Sequence, residues 1–139
     1  MPVDLPSDRE VHTTSVKVRF YELDPYDHVN HTNYFGYFET ARVEYLSDIG
    51  WGLDVLKQRG LQFVVVEANA RFLSAATYGQ ELVINTWVDQ VGRVKSTWQQ
   101  RMSTADVEVA RLAVTFAATD LNGKPRRTPS EFLALFEQL

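Results

Sequence analysis

The segment from Tyr21 to Tyr34 holds most of the groups in this chain that could do chemistry. Glu22, Asp24 and Asp27 stand close to His28 and His31. Polar groups bunched in this way make poor core material. An alternating strand pattern precedes them and a helical pattern follows, so they fall where a helix begins. A helix start leaves backbone N–H groups unpaired, and these attract an anion or a developing oxyanion. The N–H groups of His31, Thr32 and Asn33 are the candidates here. A carboxylate a few residues upstream, facing the same spot, would complete the requirements of acyl transfer. The same residues also fit an ordinary strand–turn–helix connection with polar caps.

The elements that must position this segment can be read from periodicity. Residues 1–12 form a short arm, and His12 on it is expected to be solvated. From Thr13 the chain alternates, with Val16, Val18 and Phe20 on one face, until Asp24-Pro25 ends the strand. From Asn33 to Gly50, Tyr34, Phe38, Ala41, Tyr45 and Ile49 recur at helical steps, a broad apolar face that predicts a helix wrapped on most sides. Asn30 suits its N-cap, with Val29 and Tyr34 at the two positions of a hydrophobic staple. A second helical piece runs from about Leu53 to Gln58. The run Gln62–Ala68 is continuous and β-branched, as in a strand buried on both faces, and extends towards Phe72. Strands from Glu81 to Val91, across Val94–Met102 and from Val107 to Thr119 follow, with turns at Gly92-Arg93 and Ala105-Asp106 that predict an antiparallel meander. Thr128-Pro129-Ser130-Glu131 has the form of a capping box, and Phe132, Leu135, Phe136 and Leu139 line a short terminal helix.

The chain has 139 residues, 45% of them hydrophobic and 23% charged. That is the balance of one globular domain, here residues 1–139. It contains no cysteine, which excludes disulfides, thiolate metal sites and cysteine nucleophiles. Its three histidines are too few and too clustered for most zinc sites, so no metal is expected. A formal net charge of −4 argues against nucleic acid as a partner. No basic start or long apolar run marks export or a membrane span, so a cytoplasmic protein without membrane attachment is expected.

Val18-Arg19-Phe20-Tyr21-Glu22-Leu23-Asp24-Pro25-Tyr26-Asp27-His28-Val29-Asn30-His31-Thr32-Asn33-Tyr34, followed by Phe38-Glu39-Thr40-Ala41-Arg42-Val43-Glu44-Tyr45-Leu46, resembles the 4-hydroxybenzoyl-CoA thioesterase-like branch of the hotdog-fold acyl-CoA thioesterases. The resemblance implies an α+β hotdog fold, a long central helix wrapped by a curled antiparallel sheet. It implies hydrolysis of an acyl-CoA or acyl carrier protein thioester to free acid and thiol. Asp24 matches the carboxylate that attacks the thioester carbonyl or activates a water. His31 matches the first helical residue, whose backbone N–H polarises the carbonyl. His28 and Asn30 match the polar turn that shapes the pocket, and Glu39 a helix acid that touches substrate in some relatives. Asn33 and Tyr34 complete the candidate substrate-binding set. Asp27 departs from the pattern, which usually has glycine there; if that position needs a positive φ, Asp tolerates it at modest cost. No cofactor is implied, since coenzyme A is part of the substrate. A thioester suits a lone carboxylate, because thiolate leaves readily and no Ser-His-Asp arrangement is needed.

Other residues carry plainer readings. Arg42 is expected to pair with Glu39 or Glu44. Lys124, Arg126 and Arg127 form a solvated basic turn or a site for coenzyme A phosphates, with Arg93 a weaker candidate for that role. Trp51, Trp87 and Trp98 read as core or interface aromatics. Tyr34, Phe35, Tyr37 and Phe38 line an acyl tunnel or pack the core. One helix cannot cover so large a sheet, so a second copy of the chain, in a dimer or tetramer, is expected to bury the remainder. A 3-hydroxyacyl-thioester dehydratase and a non-catalytic acyl-ligand binding module are the other functions that this set of residues allows.

Overall fold

The computed structural model describes residues 5–136. Five strands form one antiparallel sheet: β1 (His12–Lys17), β2 (Gln62–Phe72), β3 (Glu81–Val91), β4 (Lys95–Ser103) and β5 (Glu108–Thr119). Their order across the sheet is β1-β3-β4-β5-β2. Helices α1 (His31–Asp48), α2 (Leu53–Gln58) and α3 (Ser130–Ala134) complete the chain. The curled sheet and its long helix are the hotdog fold.

The period of two in β3, β4 and β5 sends one set of side chains to the helix side. Ile84 lies opposite Met102, Thr86 opposite Gln100 and Val88 opposite Trp98; on the next strand Gln100 faces Leu112 and Trp98 faces Val114. All of these are buried. They meet the broad apolar face of α1, where Tyr34, Tyr37, Phe38, Ala41, Tyr45 and Leu46 are buried. Asn30 caps α1 as expected, its side chain accepting the Thr32 N–H at 3.0 Å. The β3–β4 hairpin closes tightly at Gly92, where an added Cβ would lie 2.6 Å from the Lys95 carbonyl oxygen, so only glycine fits.

Four expectations fail. The first strand stops at Lys17 rather than near Asp24. Glu22 turns back to accept the Arg19 N–H at 2.8 Å, which closes a 3₁₀ turn over Phe20–Glu22 and leaves Phe20 and Tyr21 exposed. β2 is not buried on both faces. It pairs with β5 alone and forms a sheet edge, so Val64, Val65 and Val66 stay 39–51% exposed. The capping box at Thr128 does not form. Thr128 is held extended by its N–H bond to the Arg93 carbonyl at 2.7 Å, Pro129 becomes the cap, and Glu131 pairs with Arg59 at 2.5 Å. His12 is not solvated. Lying on β1, it stacks on Tyr45 with ring centroids 4.9 Å apart and bonds Asp48 at 2.8 Å. Leu139, expected on the terminal helix, lies outside the described residues.

Candidate active site

A tight reversal sets the candidate site. Asp24 donates its N–H to the His28 carbonyl at 2.7 Å, and Leu23 pairs with Val29. Between them Asp27 adopts φ 64°, the only left-handed non-glycine among the described residues. This is the conformation that makes glycine the usual choice, and Asp is one of the few alternatives. Val29 donates in turn to the Ala76 carbonyl at 2.9 Å and His28 pairs with Thr77, so the loop after β2 clamps the reversal.

The Asp24 carboxylate has two unlike oxygens. Oδ1 accepts the N–H groups of Tyr26 at 2.8 Å and His28 at 3.2 Å. Oδ2 has no hydrogen-bond partner among the described residues. One oxygen therefore locks the side chain and the other is free to react or to take a proton. At the start of α1, Thr32 N–H is taken by the Asn30 side chain and Asn33 N–H by the Asn30 carbonyl. That leaves His31 N–H without an acceptor among the described residues, at the positive end of an 18-residue helix.

The other candidates divide. Asn30 works as the cap, and Asn33 braces the turn by donating Nδ2 to the Glu22 carbonyl at 2.9 Å. Tyr34 is buried and accepts the Ala76 N–H at 3.1 Å; burial, helped by the nearby Asp24 charge, raises its phenol pKa. The His28 and His31 side chains are exposed. Glu39 is exposed two turns along α1. The basic candidates lie at the far end of the β2–β5 pair. Arg126 N–H binds the Ala118 carbonyl, opposite Phe63, whereas the helix start lies by Phe72, opposite Ala110. Arg126 also donates to the Arg59 and Gly60 carbonyls, at 2.9 and 3.2 Å, whereas the side chains of Arg93, Lys124 and Arg127 make no bond among the described residues. Arg42 makes no direct salt bridge with Glu39 or Glu44 among the described residues, although the Glu39 charge acts on it against the cost of burial. It is buried and donates Nη1 to Gln100 Oε1 at 2.9 Å, because the helix face that carries it turns onto β4.

Phe72 is a further candidate that the periodicity did not single out. Its ring gathers His31 at 6.2 Å, Tyr34 at 5.5 Å and Phe35 at 6.2 Å, yet it stays half exposed. An aromatic at the last position of a strand, just before the Leu73–Ala76 loop, was the available signal. From this cluster a groove runs between α1 and β2. A hollow of about 260 Å³ beside Phe35 and Ala68 shares Glu39, Arg42 and Val65 with a larger cavity of about 560 Å³, closed by Leu56, Trp98 and Phe132.

Residues 18–136 match the model of the thioesterase-like superfamily. The chain belongs to that superfamily. Its enzyme class, thioester hydrolase, follows from membership. Among curated relatives, it is 32% identical over 111 residues to the long-chain acyl-CoA thioesterase FadM of Escherichia coli, covering 78% of this chain and 83% of that one. It is 29% identical over 126 residues to the acyl-CoA thioesterase YbgC of Haemophilus influenzae, covering 89% and 93%. A hypothetical protein of Aquifex aeolicus superposes with a TM-score of 0.82 at 26% identity, over 93% of this chain and all of the other. No helix among the described residues is long and apolar enough to cross a membrane.

Proposed function

We propose that the protein hydrolyses acyl thioesters of coenzyme A or of an acyl carrier protein, with Asp24 as the reacting carboxylate and His31 N–H as the carbonyl polariser. The observation that carries this is that a free Asp24 Oδ2 and a free His31 N–H stand on the one strap held by the Leu23–Val29 pairing. The thioester oxygen accepts from His31 N–H, where the helix end favours the negative charge that grows on it. Oδ2 then either attacks the carbonyl carbon, giving a mixed anhydride that water opens, or removes a proton from an attacking water. In both routes the C–S bond breaks, the thiolate leaves and is protonated, and a free carboxylic acid remains. Tyr34, His28 and Asn33 shape the mouth, Phe72 covers it, and Glu39 lies along the acyl path.

The working unit in this reading is at least a dimer. The row of unpaired groups on the outer side of β2, with three valines exposed, is a template for a second β2. An antiparallel two-fold pairing sets the Phe72 end of one protomer against the Gln62 end of the other. It thereby carries the basic residues Arg93, Lys124 and Arg127 towards the partner's helix start, where coenzyme A phosphates would be held; Arg126 contributes by fixing that loop.

Thiol release from a panel of acyl-CoAs tests the assignment. Asp24→Asn keeps an Oδ1 acceptor for Tyr26 and His28, so the turn survives while Oδ2 is lost as a base. Turnover on the best substrate should fall by about 10²–10⁴-fold, with binding little changed. Near-full turnover by a folded Asp24→Asn protein removes Asp24 from the chemistry.

A further inference from the structure

Ala76 is fully buried in the loop between β2 and β3, and both of its backbone groups bond to the start of α1. Its N–H donates to the Tyr34 hydroxyl at 3.1 Å, and its carbonyl accepts the Val29 N–H at 2.9 Å. Val29 and Tyr34 are the two staple positions that flank the Asn30 cap, so a third segment of chain is fastened between them. No other hydrogen bond joins α1 to residues 73–80 among the described residues. At its first shoulder the loop is tied to the sheet instead, through the N–H groups of Leu73 and Ser74 on the Val109 carbonyl.

The same loop reaches Asp24 through His28, which precedes Val29 and pairs with Thr77, the residue after Ala76. Asp24 and His28 bond each other both ways: Asp24 N–H to the His28 carbonyl at 2.7 Å, and His28 N–H to Asp24 Oδ1 at 3.2 Å. A displacement of Ala76 therefore moves His28 and turns the Asp24 carboxylate, whereas the His31 N–H stays with α1. The Tyr34 ring does not follow such a displacement. It is 4% exposed and wedged against Phe72 and Tyr37, with centroids 5.5 and 6.2 Å away. A phenol oxygen held in this way gives the Ala76 N–H one place to bond, and burial leaves no water as a substitute. The proposed reaction needs Asp24 Oδ2 and the His31 N–H at a fixed separation, and one lies on the strap while the other opens the helix.

We propose that Tyr34 is a positioning residue for the thioester reaction: its hydroxyl, acting through Ala76 and His28, sets the Asp24 carboxylate against the His31 N–H. This rests on the thioesterase reading above and adds which side chain of α1 holds the two reacting groups in place. The hydroxyl works by accepting a hydrogen bond. A phenylalanine at this position keeps the packing on Phe72 and loses the tether. The buried Ala76 N–H then has no acceptor, and the loop shifts to find one. The groove beside α1 is left as it was, so the loss falls on kcat rather than on substrate binding.

The test sets Tyr34→Phe beside Tyr45→Phe, which removes the hydroxyl of another buried tyrosine towards the far end of α1. In thiol release from the best acyl-CoA, Tyr34→Phe should lower kcat by at least about tenfold and hold KM within about twofold, as a slightly misplaced reacting group does. Tyr45→Phe should keep both. Amide hydrogen exchange is the second readout. The Tyr26 and His28 N–H groups, which bond Asp24 Oδ1, should exchange about tenfold faster in Tyr34→Phe relative to the amides of β3 and β4. Should Tyr34→Phe fail to fold, exchange in the wild type decides: the His28 and Val29 N–H groups must open together with that of Ala76. His28 protected while Ala76 exchanges freely overturns the proposal. So does an unchanged kcat in folded Tyr34→Phe, and so does a lowered kcat with the strap amides at wild-type rates, which would make the hydroxyl a substrate contact. Turnover that depends on Asp24 but not on Tyr34 leaves the thioesterase reading standing and removes only this inference. No cleavage of any acyl-CoA by the wild type removes both.

Discussion

In the proposed reaction Asp24 combines two tasks that usually fall to different groups. Its Oδ1 holds the turn and its Oδ2 has no partner among the described residues, so the turn itself fixes the carboxylate that the proposed reaction uses. The cost of this arrangement falls on Asp27, which takes the left-handed φ of 64° that the reversal demands. A β-branched side chain there meets the following carbonyl. Asp27→Val should therefore destabilise the fold by about 1–2 kcal/mol, whereas Asp27→Gly should be neutral or stabilising by up to about 1 kcal/mol. Denaturant midpoints of the two variants against wild type check this, and equal midpoints for Val and Gly would contradict the strain argument. The departure from glycine that the sequence shows is thus tolerated by Asp for a backbone reason, independent of any part its charge plays beside Asp24.

At the scale of elements, α1 is the organiser. Its N-terminus supplies the free amide, its buried face fills the curl of the sheet, and its flank with Phe35, Glu39 and Arg42 forms one wall of the groove. The Asn30 cap therefore serves both stability and the site. It consumes the Thr32 N–H, and Asn30 O takes the Asn33 N–H, so that the His31 N–H is left for the substrate oxygen of the proposed reaction. Asn30→Ala should lower stability by about 1 kcal/mol. It should also weaken kcat more than a surface substitution of equal stability cost, because the freed Thr32 N–H competes for the oxyanion or for water. A Tm series paired with thiol-release rates separates the two effects; a normal kcat in the less stable protein would mean that the cap only stabilises.

For the molecule as a whole, two properties follow from burial. The exposed β2 edge needs a partner in the proposed assembly. Val64→Lys combined with Val66→Lys places charge on that edge and should convert a dimer into monomers, lowering activity along with mass. Sedimentation or light scattering at micromolar concentration reads the mass, and a wild type that is already a folded monomer would remove the two-protomer site. The second property is alkaline sensitivity. Burial, with a contribution from Glu10, pushes the Tyr45 phenol from 10.0 up to about 12, and burial also raises Tyr34 and Tyr37. A phenol whose proton is held more tightly in the folded state stabilises fully below the unfolded value. That stability is lost as pH rises from about 10 through 12. Urea midpoints should be flat below pH 10 and then decline as tyrosinate absorbance appears.

Short-range patterns carried much of this protein in the open. The steps Tyr34, Phe38, Ala41, Tyr45 mark α1, Asn30 marks its start, Gly92 marks a hairpin, and the acids and histidines between Tyr21 and Tyr34 mark the strap that holds Asp24. Each of these is decided by neighbours within a few residues, through dihedral preference, capping and periodicity. What depended on distant chain was hidden. The run Gln62–Phe72 is apolar enough for a buried strand, but its place at the edge follows from pairing with β5 alone, some forty residues later. Thr128 and Glu131 had the letters of a capping box, but the Thr128 N–H bonds the Arg93 carbonyl while its buried hydroxyl has no partner among the described residues, and Glu131 pairs with Arg59. Arg42 had Glu39 at helical spacing one turn back, and the turn of α1 onto β4 gave it Gln100 and a groove. Sequence alone determined most of the segments as helix, turn or strand, because those choices are local, but not where β1 ends, since Glu22 folds back on Arg19. Which apolar face stays open and which cation is drawn into the core was decided only when the sheet closed around α1, because burial is a property of the packed whole.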